Sequence, residues 1–81
     1  MTTFHAISEH ITYAAKRYGP IASTHEALGV ALEEWTELIE AIRANDLTAV
    51  QRECLDLAAI LLRLADTIEA RPSAFIARST K

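Results

Sequence analysis

The sequence is poor in cysteine, in residues that break helices, and in positive charge. It contains one cysteine, two glycines and two prolines in 81 residues, and its formal net charge is −3. A single cysteine, Cys54, excludes an internal disulfide and fits a reducing compartment, so we expect a cytoplasmic protein in which Cys54 is a small core residue. The lack of a run of Lys and Arg argues against a protein that binds nucleic acid polymers.

Segments that would direct secretion or enter a membrane are also missing. The amino terminus has no charged stretch followed by an apolar block, so no signal peptide is predicted. The apolar run at residues 57–65 is interrupted by Arg63 and is too short to span a bilayer. We therefore expect no membrane partner.

Hydrophobic residues, by contrast, are abundant and make up 51% of the chain. A chain of this size buries only about 60–65% of the surface that its unfolded form exposes. One short monomer cannot enclose so many apolar side chains. We therefore predict that an exposed apolar face drives assembly into a homodimer or a homotetramer.

Apolar residues recur at steps of three and four along most of the chain, and no strand-like alternation is visible. This spacing predicts an all-α fold in a single domain that covers residues 1–81. The predicted helices cover residues 3–18, 24–44 and 47–70, and residues 72–81 form a tail.

Residues that begin and end helices lie at the boundaries of these segments. Gly19 ends the first helix, and Ser23 with Glu26 forms a capping box at the start of the second. Asp46 caps the third helix, and Pro72 stops it. The turn at Asp46 is tight, so the second and third helices should form a long antiparallel hairpin beside a short first helix. We expect oligomerisation to complete a four-helix-bundle core.

The acids of the second helix fall into two groups on a helical wheel. Glu33 and Glu40 lie on the solvent side, whereas Glu34 and Glu37 lie on a strip beside the main apolar stripe. That strip also carries Ala27, Val30 and Ala41. The main stripe consists of Leu28, Ala31, Leu32, Trp35, Leu38, Ile39 and Ile42. Trp35 is therefore expected to pack in the core.

The third helix repeats this arrangement with Glu53 and Asp56. Each acidic pair is spaced i, i+3, so its two members project from one face. The two pairs lie at similar distances from the turn, which would bring all four carboxylates together. Like charges about 4 Å apart repel by about 1 kcal/mol in water and more inside a protein, so a cation is expected to compensate them. Carboxylate oxygens suit Mg²⁺ or Mn²⁺, and no Cys/His set with zinc spacing competes.

These acids resemble the EExxE…ExxD signature of MazG-like nucleotide pyrophosphohydrolases. The matching residues are Glu33-Glu34-x-x-Glu37 and, after residues 38–52, Glu53-x-x-Asp56. The resemblance covers the second and third helices, about half of the chain. These enzymes are all-α, and the related group includes phosphoribosyl-ATP pyrophosphatases and dimeric dUTPases.

The resemblance implies that Glu34, Glu37, Glu53 and Asp56 are the catalytic residues and the ligands of Mg²⁺, with Mn²⁺ as a possible substitute. Glu33 fills the first motif position but points towards solvent. The implied reaction converts a nucleoside triphosphate and water to the monophosphate and pyrophosphate. Either Glu37 or Glu34 could take the proton of the attacking water.

Three further residues are candidates for substrate binding, each with a simpler alternative. Lys16 could contact phosphate or merely favour the helix dipole at the end of the first helix. His25 could face a base or be an exposed first-turn residue. Arg63 could reach phosphate or pair with an acid. His5 and His10 do not share a face well, so no metal is expected there.

Two alternatives to this function remain open. One is a phosphoribosyl-ATP pyrophosphatase-like hydrolase that acts on another nucleotide. The other is a non-catalytic helical module for oligomerisation or interaction, in which the acids form a solvated charged face.

Overall fold

A computed structural model describes residues 2–70 of the chain, with the backbone alone at Ala70. Three α-helices, and no strand, lie within these residues. They are α1 (Thr3–Tyr18), α2 (Thr24–Arg43) and α3 (Leu47–Ala70). The predicted all-α class is confirmed for this part of the chain. The predicted tail at 72–81 lies outside the described residues.

Side-chain caps explain where α2 and α3 begin. The Ser23 hydroxyl accepts a hydrogen bond from the Glu26 amide at 3.1 Å, and the Glu26 carboxylate accepts one from the Ala22 amide at 2.8 Å. The Asp46 carboxylate accepts from the Ala49 amide at 3.1 Å in the same way. Such N-caps typically contribute about 1 kcal/mol each. Local chemistry therefore sets both helix starts.

The link between α1 and α2 is held by a contact from the middle of α3. Gly19 ends α1 with a φ of 74°, a left-handed value that glycine adopts without a steric penalty. The Arg63 guanidinium donates a hydrogen bond to the Gly19 carbonyl oxygen at 2.8 Å. This bond fixes the position of the chain reversal relative to α3.

The core lies where this link, α2 and α3 meet. Its buried centre consists of Ile21, Ala27 and Ile60. The partly buried side chains packed against that centre are Val30, Ala31, Leu57 and Leu64. Since α3 packs against both α1 and α2, it is the central element of the fold.

The inward face of α2 differs from the one predicted. The inward strip, here called the acidic face, consists of Ala27, Val30, Glu34 and Ala41. Leu38 of the predicted stripe is buried beside it, at 7% exposure. Ala27 is 2% exposed and Ala41 is 8% exposed. The neighbouring strip, here called the apolar face, consists of Leu28, Leu32, Trp35 and Ile42. Those four side chains are between 51% and 57% exposed.

Two predictions about single residues are therefore wrong for this chain. Trp35 is 51% exposed, so it does not pack in the core of the single chain. Cys54 is likewise exposed. On α3, Ile60 is buried while Leu61 is 51% exposed. The buried sides of both helices are thus displaced from the stripes that hydrophobicity predicts towards the strips that carry the acids.

The exposed apolar residues do not make a membrane span. Within the part of the chain that the structure describes, no helix combines the length and the hydropathy needed to cross a bilayer.

Candidate metal centre and cleft

Three carboxylates from two helices converge on one place. Glu34 and Glu37 come from α2, and Glu53 comes from α3. One oxygen of each lies within 4.8 Å of one oxygen of each of the others. Glu34 and Glu53 are partly buried, whereas Glu37 is exposed. The convergence follows from the inward orientation of the acid-bearing strips of α2 and α3.

Asp56, the fourth predicted ligand, lies beside this cluster and has a second partner. Its Oδ1 atom lies 2.6 Å from Nε2 of His10 on α1. The Asp56 side chain is 28% exposed and the His10 side chain is 37% exposed. Asp56 therefore links the three-carboxylate cluster to the first helix, a contact that the sequence did not predict.

Burial and mutual repulsion raise the pKa values of two of these acids, Glu34 and Glu53. Burial raises the pKa of Glu34 above its ordinary value, and the charges of Glu37, Asp56 and Glu53 raise it further. Burial also raises the pKa of Glu53, with added contributions from a hydrogen bond with Asp56 and from the charges of Asp56 and Glu37. Arg52, whose Nε lies 3.8 Å from a Glu53 oxygen, acts in the opposite direction. The cluster is thus electrostatically strained when all its members are ionised.

Two oxygens in the cluster have no hydrogen-bond partner among residues 2–70. They are Oε2 of Glu34 and Oε1 of Glu53, and both are buried. A buried polar atom without a partner costs about 1–3 kcal/mol, and more when it is charged. A hard divalent cation would satisfy these oxygens and offset the repulsion. The all-oxygen donor set therefore fits Mg²⁺ or Mn²⁺.

A cleft of about 480 Å³ opens beside the acids. Glu34 and Asp56 line it, together with the aromatic side chains of Tyr13 and Tyr18 and with Arg63. Its volume lies in the range of about 300–1,000 Å³ that is usual for small-molecule sites. Acidic, apolar and cationic groups thus share one cavity.

The structure brings only one of the three predicted substrate-binding residues to the cleft. Arg63 lines it, although the hydrogen bond shown for its guanidinium goes to Gly19 and not to an acid. Lys16 and His25 are exposed, and neither is among the described residues that line the cleft. Their roles in binding remain predictions. Glu33 is exposed, in agreement with its predicted solvent-facing position.

The contact of His10 with Asp56 was not predicted from the sequence. His10 lies 46 residues from Asp56 in the sequence, and no short-range pattern joins the two. A weak signal was present, because His10 precedes the buried Ala14 by one helical turn and follows Ile7 by three residues. It therefore lies on the packed face of α1.

No protein-family model, curated protein or solved structure matches this chain. The resemblance to MazG-like pyrophosphohydrolases therefore stays a prediction, carried by the acidic motif alone.

Proposed function

We propose that this protein is a Mg²⁺-dependent nucleoside triphosphate pyrophosphohydrolase. It would convert a ribo- or deoxyribonucleoside triphosphate and water to the monophosphate and pyrophosphate. The observation that carries this proposal is the convergence of Glu34, Glu37 and Glu53 next to a cleft of about 480 Å³, which Glu34 and Asp56 line.

The acids would hold the cation, with Glu34, Glu37 and Glu53 as ligands and Asp56 beside them. When bound, Mg²⁺ neutralises phosphate oxygens and makes a neighbouring water more acidic. Glu34 is our candidate for the group that accepts the proton of the attacking water. It lines the cleft in which the substrate and the attacking water would bind. Glu37 is the alternative.

The remaining cleft residues would bind the rest of the substrate. Tyr13 and Tyr18 offer aromatic surface for a nucleobase or sugar. The Arg63 guanidinium has five N–H donors, and its bond to Gly19 uses only one of them. It can therefore hold the chain reversal and still donate to a phosphate oxygen.

Assembly is part of this proposal. The apolar face of α2 leaves Leu28, Leu32, Trp35 and Ile42 half exposed. Two copies that cover this face would complete a four-helix core from two antiparallel hairpins, as a homodimer or within a homotetramer. Cys54 is a free thiol on the surface, and a reducing, cytoplasmic location would keep it reduced.

The same apolar face favours a second candidate, a non-catalytic module for helical assembly. In that case the acids would be a structural remnant, and assembly would persist without nucleotide turnover. A phosphoribosyl-ATP pyrophosphatase-like activity is a third reading, which differs only in its substrate.

The test is pyrophosphate release from a panel of NTPs, dNTPs and phosphoribosyl-ATP in the presence of Mg²⁺. Wild type should turn over at least one of them. Glu53→Gln should lower kcat/KM by at least about a hundredfold, because metal stabilisation of the transition state is worth several kcal/mol. Glu40→Gln, on the exposed side of α2, is the matched control and should have no effect.

Each outcome of this test separates the candidates. Turnover that Glu53→Gln leaves unchanged would show that the site is wrongly assigned. Turnover of phosphoribosyl-ATP alone would select that hydrolase. A chain that assembles but turns over none of the panel would support the interaction module.

A further inference from the structure

We infer that His10 is a positioning residue that orients Asp56 towards the metal centre and so couples α1 to that centre. The inference rests on the proposed function, since it assigns a role within the proposed site. It extends the proposed site to α1, because His10 lies on that helix while the acidic motif lies on α2 and α3.

The geometry of the pair is that of a strong hydrogen bond. Nε2 of His10 and Oδ1 of Asp56 are 2.6 Å apart and partly shielded from solvent. An ionised carboxylate only accepts, so the form of His10 that makes this bond to an ionised Asp56 carries a hydrogen on Nε2. Hydrogen bonds to a charged acceptor are shorter and stronger than those between neutral groups.

The other ring nitrogen restricts what His10 can do. Nδ1 is buried and has no hydrogen-bond partner among residues 2–70. Because solvent does not reach Nδ1, it is not placed to take a proton from an attacking water or to bind an ion. The chemical contribution of His10 therefore passes through Nε2, and hence through Asp56.

Asp56 needs such a partner because its neighbours repel it. Its charge raises the pKa of both Glu34 and Glu53, which shows that the three carboxylates interact. Its side chain is still 28% exposed, so without His10 it could turn towards water. The bond to His10 occupies one oxygen of Asp56 and holds the carboxylate beside the cluster. Outer partners that orient metal ligands in this way typically contribute 10–100-fold to metal affinity or activity.

The experiment measures Mn²⁺ binding to the full chain by electron paramagnetic resonance of free Mn²⁺, with no nucleotide present. His10→Ala should weaken binding about tenfold to a hundredfold. His10→Gln, whose amide nitrogen replaces Nε2 as the donor, should restore most of the affinity. His5→Ala is the matched control on α1, because His5 pairs with Glu9 on the exposed surface, and it should bind like wild type.

A double-mutant cycle makes the assignment specific. In an Asp56→Asn background, His10→Ala should weaken binding by less than about twofold further, because its effect passes through the missing carboxylate. A full additional loss in that background would overturn the inference, and so would equal losses for His10→Ala and His10→Gln.

The inference and the proposed function fail in different ways. If wild type binds Mn²⁺ and His10→Ala binds it equally well, the positioning role is wrong while the metal centre stands. If wild type does not bind Mn²⁺ at millimolar concentration, both are wrong.

Discussion

On α2, two alanines and one leucine are buried, while most of the large apolar side chains are half exposed. The acidic face, which holds small side chains such as Ala27 and Ala41 and the carboxylate of Glu34, packs inward. The apolar face, with Leu32 and Trp35, is half exposed. A helix that only had to stabilise a monomer would be turned the other way.

The difference indicates that α2 serves two surfaces at once. Small side chains on the acidic face let α3 approach closely enough for carboxylates of both helices to meet. The large side chains of the apolar face remain half exposed, and they are available to pack against another surface.

The largest effect is expected from charging the apolar face. Leu32→Glu combined with Trp35→Glu would bury unpaired charges in the proposed interface, at a cost of several kcal/mol. The dissociation constant of the oligomer should rise by at least about a hundredfold, since 1.4 kcal/mol corresponds to tenfold. Light scattering after size-exclusion chromatography measures this, with Glu40→Gln as control. An unchanged mass would place the interface elsewhere.

Binding of Mg²⁺ should stabilise the acidic face by a smaller amount. A ligand at 100 times its dissociation constant raises the free energy of unfolding by about 2.7 kcal/mol. Thermal unfolding with and without Mg²⁺ should show this for wild type and much less of it for Glu34→Gln. Glu33→Gln, at the adjacent exposed position, should keep the full response. Equal responses from the two variants would place the cation away from Glu34.

Changes of side-chain size should have unequal effects on the two faces. Ala27 is 2% exposed, so Ala27→Leu overpacks the core and should cost about 1–3 kcal/mol. Leu28 is 55% exposed, so Leu28→Ala should change the free energy of unfolding by only about 0.5 kcal/mol. This is to be measured in the background of Leu32→Glu with Trp35→Glu, which is expected to be monomeric. Urea denaturation of both variants would give the two changes in the free energy of unfolding. A larger cost for Leu28→Ala would mean that the apolar face packs within the monomer.

The smallest effect is a dependence of stability on pH in the absence of divalent cations. Folding raises the pKa values of Glu34 and Glu53 above 4.5, so the folded state holds these protons more tightly. The stabilisation is complete below pH 4.5 and disappears as the pH rises through the folded-state values. Solvent screening keeps it modest.

Urea denaturation between neutral pH and pH 5 would measure this dependence. Stability should rise on acidification, and the combined change Glu34→Gln with Glu53→Gln should flatten the slope. Glu40→Gln should leave it intact. A slope of the opposite sign would show that cations or hydrogen bonds already compensate the acids.

Sequence reasoning placed the helices well because their ends depend on neighbouring residues. Ser23 and Glu26 bond to amides within four positions of themselves, and Asp46 does the same. The predicted starts of all three helices are confirmed, and α2 ends one residue early because Ala44 is its cap. The spacing of Glu34 and Glu37 likewise placed them on one strip.

Which strip faces inward could not be predicted in the same way. Hydrophobicity favoured the strip of Trp35, but Ala27 lies in the buried core with Ile60 of α3. The bond between His10 and Asp56 depends on how α1 docks onto α3, 46 residues away. Contacts of this kind are set by the whole fold, and no local pattern encodes them.

The tethers of the segment that joins α1 to α2 have a consequence for protein engineering. Arg63 holds it by the carbonyl of Gly19, and Glu26 holds it by the amide of Ala22. Both hydrogen bonds are made to main-chain atoms, so they do not depend on which side chain occupies position 22. Ala22 is exposed, which makes this position suitable for attaching a reporter group beside the cleft while the loop keeps its shape.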